Sequence, residues 1–357
     1  MSASARPTLA LVAERAGVAI STASLAFTAN GPISEASRNR VLAAARELDY
    51  AGPNPLGRQL RSGRSGIVGV VIGDQLKRSF RDPVAVQVLD GLVSTLGAAG
   101  LGVLLIPGIP GVDADSRAVD PLIESAAMDV GVLVWGVRTD DPTLAAFERR
   151  GVPVVVGEGR EVPGAPIVSI ADRRGTVDVV RHLTSLGHSA IAEIALPLDH
   201  TRRSGPVDAA RLAQSDRTPT SNRLAGVRDV VEPVITWEPA GPLVEHGKEA
   251  AITILSGDDR PTAIVAHSDL LAAGALLAAQ ELGLKVPEDV SIAGFDGLDL
   301  PWLAPAVLTT VRQPLAEKGA KIGEAVVNLL AGNAPESVEL DVELVVGTTT
   351  GPPREAV

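Results

Sequence analysis

"AERAGVAISTASLAF", residues 13–27, sets one glycine between two short stretches of helical spacing. It fits either a helical hairpin buried in a core or a helix-turn-helix that presents its second helix to DNA. Thr8 can cap a helix that begins at Leu9, with Leu9, Val12, Ala13 and Ala16 on one face. Gly17 stands where that helix should stop, because glycine enters the left-handed region without steric cost. A second short helix is expected from Ile20 to about Thr28. Ala23, Ala26 and Phe27 share its inner side, whereas Ile20, Ser21, Ser24 and Leu25 share the outer side. Small inward residues allow close packing on a partner helix and leave the outer face free to enter a major groove. Ser34 can cap a third helix, on which Val41, Ala45 and Leu48 form an apolar stripe.

Charge separates this segment from the rest. Residues 1–65 hold eight arginines, no lysine and four acids, a net +4. The remainder carries −15, so the whole chain is at −11. A basic head on an acidic body points to a polyanion met by the head alone.

The stretch "VAERAGVAISTASLAF", followed by "VLAAARELDY" and "GPNPLGRQLRSGRSGIVGVV", resembles the N-terminal signature of the LacI/GalR family of bacterial transcription regulators. The resemblance continues in "DRRGTVDVVRHLTSLGHSAIAEI", "SNRLAGV", "RPTAIVAHSDLLAAGALLAAQELGLKVPEDVSIAGFDG" and "LTTVRQPLAEKGAKIGEAVVNLL", and so covers essentially the whole chain. It implies DNA contacts from Thr8, Ile20, Ser21, Thr22, Ser24, Leu25 and Tyr50. Two positions depart from the pattern: Ala19 replaces the usual serine, and Leu25 stands where many members have arginine. Base reading would then lean on thymine methyls and serine hydroxyls. Pro53 and Pro55 prevent the third helix from continuing, and a short hinge helix is expected within residues 51–65. In the family such a segment folds when two copies pair over the minor groove. By position, Leu60 would be the wedge between base pairs, with Arg58 and Arg61 near phosphates.

From residue 66 short apolar runs ("GIVGVVIG", "GLGVLLIPG", "VGVLVWGV", "GVPVVVG", "TAIVAH", "VSIAGFDG") alternate with helix-length segments. This alternation indicates parallel sheets flanked by helices, and the length suits two lobes facing a cleft. The expected fold class is an all-α helix-turn-helix head (residues 1–50), a hinge (51–65) and a two-lobed α/β body like that of periplasmic binding proteins (66–357). One lobe is expected to comprise 66–169 with 311–332, the other 170–310 with 333–357. "VELDVELVVGTTTGPP" reads as a terminal β element followed by a loose tail.

Arg223 follows the polar loop "SDRTPTSN" and lies at the family's effector arginine; its guanidinium fork suits sugar hydroxyls or a carboxylate. Asp296 ends the apolar run "VSIAGF", where a ligand-facing carboxylate belongs. Asp269 follows "TAIVAHS" in the equivalent place and could instead be a helix cap. Phe80 and Asp82 lie after the first body strand, where an aromatic could stack on a sugar or base, or Asp82-Pro83 could simply make a turn. Trp237 suits core or pocket equally.

Other classes are disfavoured. The chain has no cysteine, hence no disulfide or thiolate site. The five histidines lack metal-site spacing, and no metal or cofactor is expected. No GxGxxG, GxxxxGK[ST] or GxSxG motif follows a strand, which argues against an enzyme. Glu14 and Arg15 come too early for a signal peptide and no run is long enough to span a membrane, so a cytoplasmic location is expected and a secreted solute-binding protein is the weaker reading. The expected function is a homodimeric repressor on a near-palindromic double-stranded DNA operator. Its effector would be a small carbohydrate, with a nucleoside or purine as runner-up.

Overall fold

Three short helices open the chain: α1 (Leu9–Ala16), α2 (Ile20–Ala26) and α3 (Glu35–Glu47). The Thr8 hydroxyl accepts from the Leu11 amide at 3.3 Å and so caps α1, and Ser34 does the same for α3 with the Ser37 amide. Gly17 ends α1 at φ 65° and turns the chain into α2. The second helix stops at Ala26, short of the expected Thr28. Val12, Ala13, Ala16, Ala23, Ala26, Val41, Ala44 and Ala45 form the buried core of this head. Alanine dominates because helices this short gain stability from close approach rather than from large side chains.

The computed structural model describes residues 7–27, 32–52, 63–73, 76–108, 119–135, 141–199, 201–257 and 259–354. It divides into two units, Met1–Ser65 and Gly66–Val357. Within the second unit, strands β1 (Ile67–Ile72), β2 (Gly102–Pro107), β3 (Val130–Val134), β4 (Val154–Gly157) and β5 (Ile167–Ile170) build one lobe. Strands β6 (Ile191–Ile194), β7 (Gly205–Pro206), β8 (Ile235–Glu238), β9 (Ala263–Ala266), β10 (Ser291–Asp296) and β11 (Thr309–Arg312) build the other. The chain then returns with β12 (Val338–Leu340) to the first sheet and β13 (Glu343–Val345) to the second. The first sheet runs β12-β5-β4-β3-β1-β2 and is parallel throughout. The second runs β13-β11-β10-β9-β6-β8-β7, antiparallel only at its two edges.

Both faces of each sheet are covered, as near-continuous apolar strands require. Val68, Val70 and Ile72 face the helices Pro83–Ala98 and Leu315–Leu330, while Val71, Ile106 and Leu133 face the opposite layer with Phe147. The two helices of the first face meet backbone to backbone. A Cβ at Gly91 would lie 2.0 Å from the Ala316 carbonyl oxygen, and one at Gly319 would lie 2.0 Å from that of Val88. In the second lobe Gly247 and Gly274 serve the helices Val244–Leu255 and Asp269–Glu281 in the same way.

The lobe boundaries differ from expectation in two places. β11 carries the second sheet through Arg312, so the chain crosses after residue 312 rather than before 311. β12 pairs with β5, so the stretch to Leu340 belongs with the first lobe. The last crossing falls at Asp341–Val342, between β12 and β13. Nor is the tail loose as far as Arg354. Thr349 donates to the Ile292 carbonyl at 2.7 Å and accepts from the Thr309 amide at 2.9 Å, and a His188 ring nitrogen lies 2.8 Å from the Gly351 carbonyl.

Candidate functional site

On the head, Thr8 is exposed at the start of α1. On α2, Ile20 and Ser21 are exposed and Ser24 and Leu25 half-buried along the side turned away from Ala23 and Ala26, whereas the half-buried Thr22 falls on the flank of Ala26. Ile20 is 56% exposed, a large apolar side chain that the head core does not use. Ala19 supplies no side-chain cap to α2, as its lack of a hydroxyl requires. Tyr50 is half-buried against the head core, its ring 5.7 Å from that of Phe27 in an edge-on arrangement, so much of its surface is structural. Arg58, Leu60 and Arg61 lie outside the described residues.

In the body, side chains gather at the carboxyl ends of the strands. Trp135 follows β3, Glu158 follows β4, Asp172 stands two residues past β5, Asp269 stands three past β9, Asp296 ends β10, and Gln313 follows β11. Two helices add one cation each: Arg223 from Thr218–Arg228, and Lys318 from Leu315–Leu330. Arg223 Nε donates to Asp172 Oδ1 at 2.7 Å, an Nη1 proton goes to the His267 carbonyl, and the same nitrogen lies 3.6 Å from Asp296 Oδ1. Its guanidinium carbon sits 3.7 Å over the Phe295 ring, a cation–π contact that fixes the plane of the fork. Gln313 Nε2 donates to Asp296 Oδ1 at 2.7 Å, while its Oε1 accepts from Lys318 Nζ at 2.6 Å. Lys318 also pairs with Glu158 Oε2 at 2.7 Å, an oxygen that accepts from Trp135 Nε1 as well. A chain of contacts therefore runs from first-lobe side chains, through the crossover residue Gln313, to Asp296 and Arg223 and back to the crossover residue Asp172.

The backbone concurs. Trp135, Glu158 and Asp296 have φ of 58°, 55° and 130°, a region costly for residues with a Cβ and enriched at functional sites. Burial pushes the acids up. Asp172 and Asp269 rise to about 6, the first although Arg223 opposes it, the second although the Thr310 hydroxyl does. Asp296 rises well above the carboxylate range, from burial first, with Arg223 opposing and Asp269 adding to it. Glu158 is also buried, but the Lys318 charge and hydrogen bond outweigh that and hold it low.

Among the expected effector residues, Arg223, Asp269 and Asp296 come together. Asp269 is not the cap of its helix; Ser268 is, accepting from the Leu271 amide at 3.2 Å. The Asp269 carboxylate instead accepts from the Thr310 hydroxyl at 2.5 Å and the Leu298 amide at 2.7 Å. Asp82 caps Pro83–Ala98 through the Val84 amide at 2.9 Å, as the turn reading has it, yet its charge is felt at Asp296. Phe80 is 57% exposed. Trp237 packs on the second-lobe core, with its buried Nε1 lacking a hydrogen-bond partner among the described residues.

A second buried arginine was not anticipated. Arg211 Nε and Nη2 meet Glu238 at 2.8 and 2.7 Å, and Nη1 meets Asp199 at 2.7 Å. Glu238 also accepts from the Leu198 amide at 2.9 Å. Among the described residues no cluster of three or more His, Cys, Asp or Glu could hold a metal ion, and no single helix is long and apolar enough to cross a membrane.

Comparison with known proteins fits both regions. Residues 8–54 match the family of bacterial regulatory proteins, lacI family, and residues 180–350 match a periplasmic binding protein-like domain. An HTH-type transcriptional regulator of Mycobacterium tuberculosis is 34% identical, with 98% of each chain covered. The HTH-type transcriptional repressor CytR of Escherichia coli is 32% identical, with 95% of each covered. The crystal structure of the lac repressor dimer bound to operator and the anti-inducer ONPF superposes with a TM-score of 0.79 at 26% identity, over 97% of this chain and 99% of that one. The transcriptional regulator CelR–cellobiose complex gives 0.66, also at 26% identity, over 96% and 100%. These relatives are regulators rather than enzymes. A helix-turn-helix head and a two-lobed effector-binding body in one chain, matched along almost its full length, make this protein a DNA-binding transcriptional regulator of the lacI family.

Proposed function

We propose that the chain is a homodimeric repressor of a near-palindromic operator, controlled by a sugar or sugar derivative that binds between the lobes at Arg223, Asp269 and Asp296. One observation carries the effector assignment: the buried Arg223 cluster joins groups of both lobes through two of the three crossover segments, at Asp172 and Gln313. A ligand that exchanges these contacts for its own hydroxyls favours a different lobe arrangement, and so shifts the population that binds DNA. The repressor reading is supported by CytR, and the sugar reading by the cellobiose complex of a structural neighbour. The dimer of the lac repressor complex supports twofold assembly. DNA contacts are assigned to Ile20, Ser21 and Leu25 for bases and to Arg58, Leu60 and Arg61 for the hinge.

The test is titration of full-length protein on operator fragments recovered from genomic DNA, with and without the compound that most raises the melting temperature. Arg223→Ala is expected to keep operator affinity within about threefold and to lose the response to the compound. An unchanged response would remove the cleft from the mechanism. Arg61→Ala should weaken operator and random DNA alike and flatten the salt dependence by about one contact.

A further inference from the structure

We propose that the ligand of this cleft is a cation: a polyhydroxylated molecule carrying a protonated amine, as an amino sugar does. The inference rests on the cleft reading above and names the ligand class of that same site. Six ionisable side chains are buried together there: Asp172, Asp269, Asp296 and Glu158 against Arg223 and Lys318. That is a formal excess of two negative charges, in surroundings where an uncompensated charge is costly. Neither cation is idle. Arg223 serves Asp172, the His267 carbonyl and Asp296, and Lys318 serves Glu158 and Gln313. Asp82 adds a further negative field at Asp296. Two other guanidiniums of the neighbouring segments are turned to their own partners, Arg81 to Glu245 at 2.8 Å and Arg217 to the Gly73 carbonyl at 3.4 Å.

An independent observation shows where a donor is wanted. Glu158 is 4% exposed, and its Oε1 is buried without a hydrogen-bond partner among the described residues. An ammonium group supplies both the missing donor and the missing charge, and hydroxyls on the same molecule suit the remaining carboxylate oxygens. A phosphate or carboxylate would instead bring a further negative charge to acids already raised by burial. A metal ion is the poorer cation, since the described carboxylates do not converge as a ligand set. The raised acids hold protons that an incoming ammonium displaces, so binding is linked to pH. Affinity should fall as pH drops through about 6, where Asp172 and Asp269 take up protons.

The experiment uses the full chain and a fixed set of probes: glucosamine, galactosamine and mannosamine, their parent hexoses, their N-acetyl forms and the hexose 6-phosphates. Thermal shift at pH 7.5 is followed by calorimetric titration at about pH 6, where Asp172 and Asp269 are part-protonated, in buffers of different ionisation heat. At least one free amine should raise the melting temperature and bind about tenfold or more tightly than its parent and N-acetyl forms, with proton release. The phosphates should give no shift. Asp296→Asn, or Glu158→Gln if the first variant folds poorly, should weaken the amine about tenfold. A neutral hexose or a phosphate that binds as well as the amines overturns the charge assignment. If Arg223→Ala abolishes that binding, the cleft reading stands without it. Amine binding that survives both Asp296→Asn and Arg223→Ala overturns the two together, and no shift from any amine at millimolar concentration overturns the proposal.

Discussion

Arg211 and Arg223 are both buried, both on the second lobe and both flanked by carboxylates, yet their surroundings differ in kind. Around Arg211 every hydrogen bond to a carboxylate is short. Asp199 is held down to about 2, because the Arg211 and Thr201 hydrogen bonds outweigh its burial. Around Arg223 two acids share one fork, a third lies within its field, and all three are pushed up. The first cluster is a closed account that ties the segment 198–212 to β8. The second is oversubscribed, and an oversubscribed site gains most when a ligand or a proton arrives. Buried ion pairs of similar appearance can therefore have opposite uses, and the state of the acids tells them apart.

The contrast can be broken most forcefully at Arg211. Arg211→Leu should cost about 3–5 kcal/mol, because it leaves Glu238 and Asp199 buried and uncompensated. Urea unfolding should show most of that loss persisting from pH 8 to pH 5, because the Thr201 amide and hydroxyl, which do not depend on Arg211, still hold the Asp199 carboxyl down against its burial. Arg223→Ala should cost less, roughly 2 kcal/mol at pH 8, and less still at pH 5, because its acids can take up protons. A loss equal at both pH values would place the two clusters in one class. Asp296→Asn should have the smallest effect and the opposite sign. A carboxyl whose folded pKa is raised contributes stability that is present below its unfolded value near 4 and lost as pH rises towards the folded value. The amide escapes that loss while its oxygen still accepts from Gln313. A gain of about 1 kcal/mol is expected at pH 8, shrinking to nothing near pH 4. Destabilisation at pH 8 would show that the Arg223–Asp296 attraction outweighs the burial of the carboxylate.

Much of this was legible in the residues. The Thr8 and Ser34 caps, the Gly17 turn and the alanine faces of the head follow from local chemistry alone. Asp296 was legible because it ends an apolar strand, and Asp269 because it follows one. The same rule reaches Glu158, Asp172 and Gln313, each one or two residues past a strand. Lys318 left a different trace. It sits three residues after Leu315 and four before Ile322, on the stripe that should be apolar. Arg211 left none, since "DAARLAQSD" has no periodicity and its partners are brought in by β6 and β8 from elsewhere in the chain. The last lobe crossing was missed because "VELDVELVV" alternates as one strand would. Only tertiary pairing reveals that its two halves belong to different sheets.

The glycine contact between Pro83–Ala98 and Leu315–Leu330 has a consequence for how the cleft can move. Side chains hop between rotamers, but a backbone pressed on a backbone has no alternative setting. Lys318 immediately precedes Gly319, whose Cα faces the Val88 carbonyl. The ammonium is thus mounted at a depth that the opposite side of its own helix dictates. The first lobe should then travel as one stiff piece, with the play confined to the three crossover strands. Even an alanine at Gly319, remote from any ligand, would retune the cleft by shifting the base on which its lysine stands.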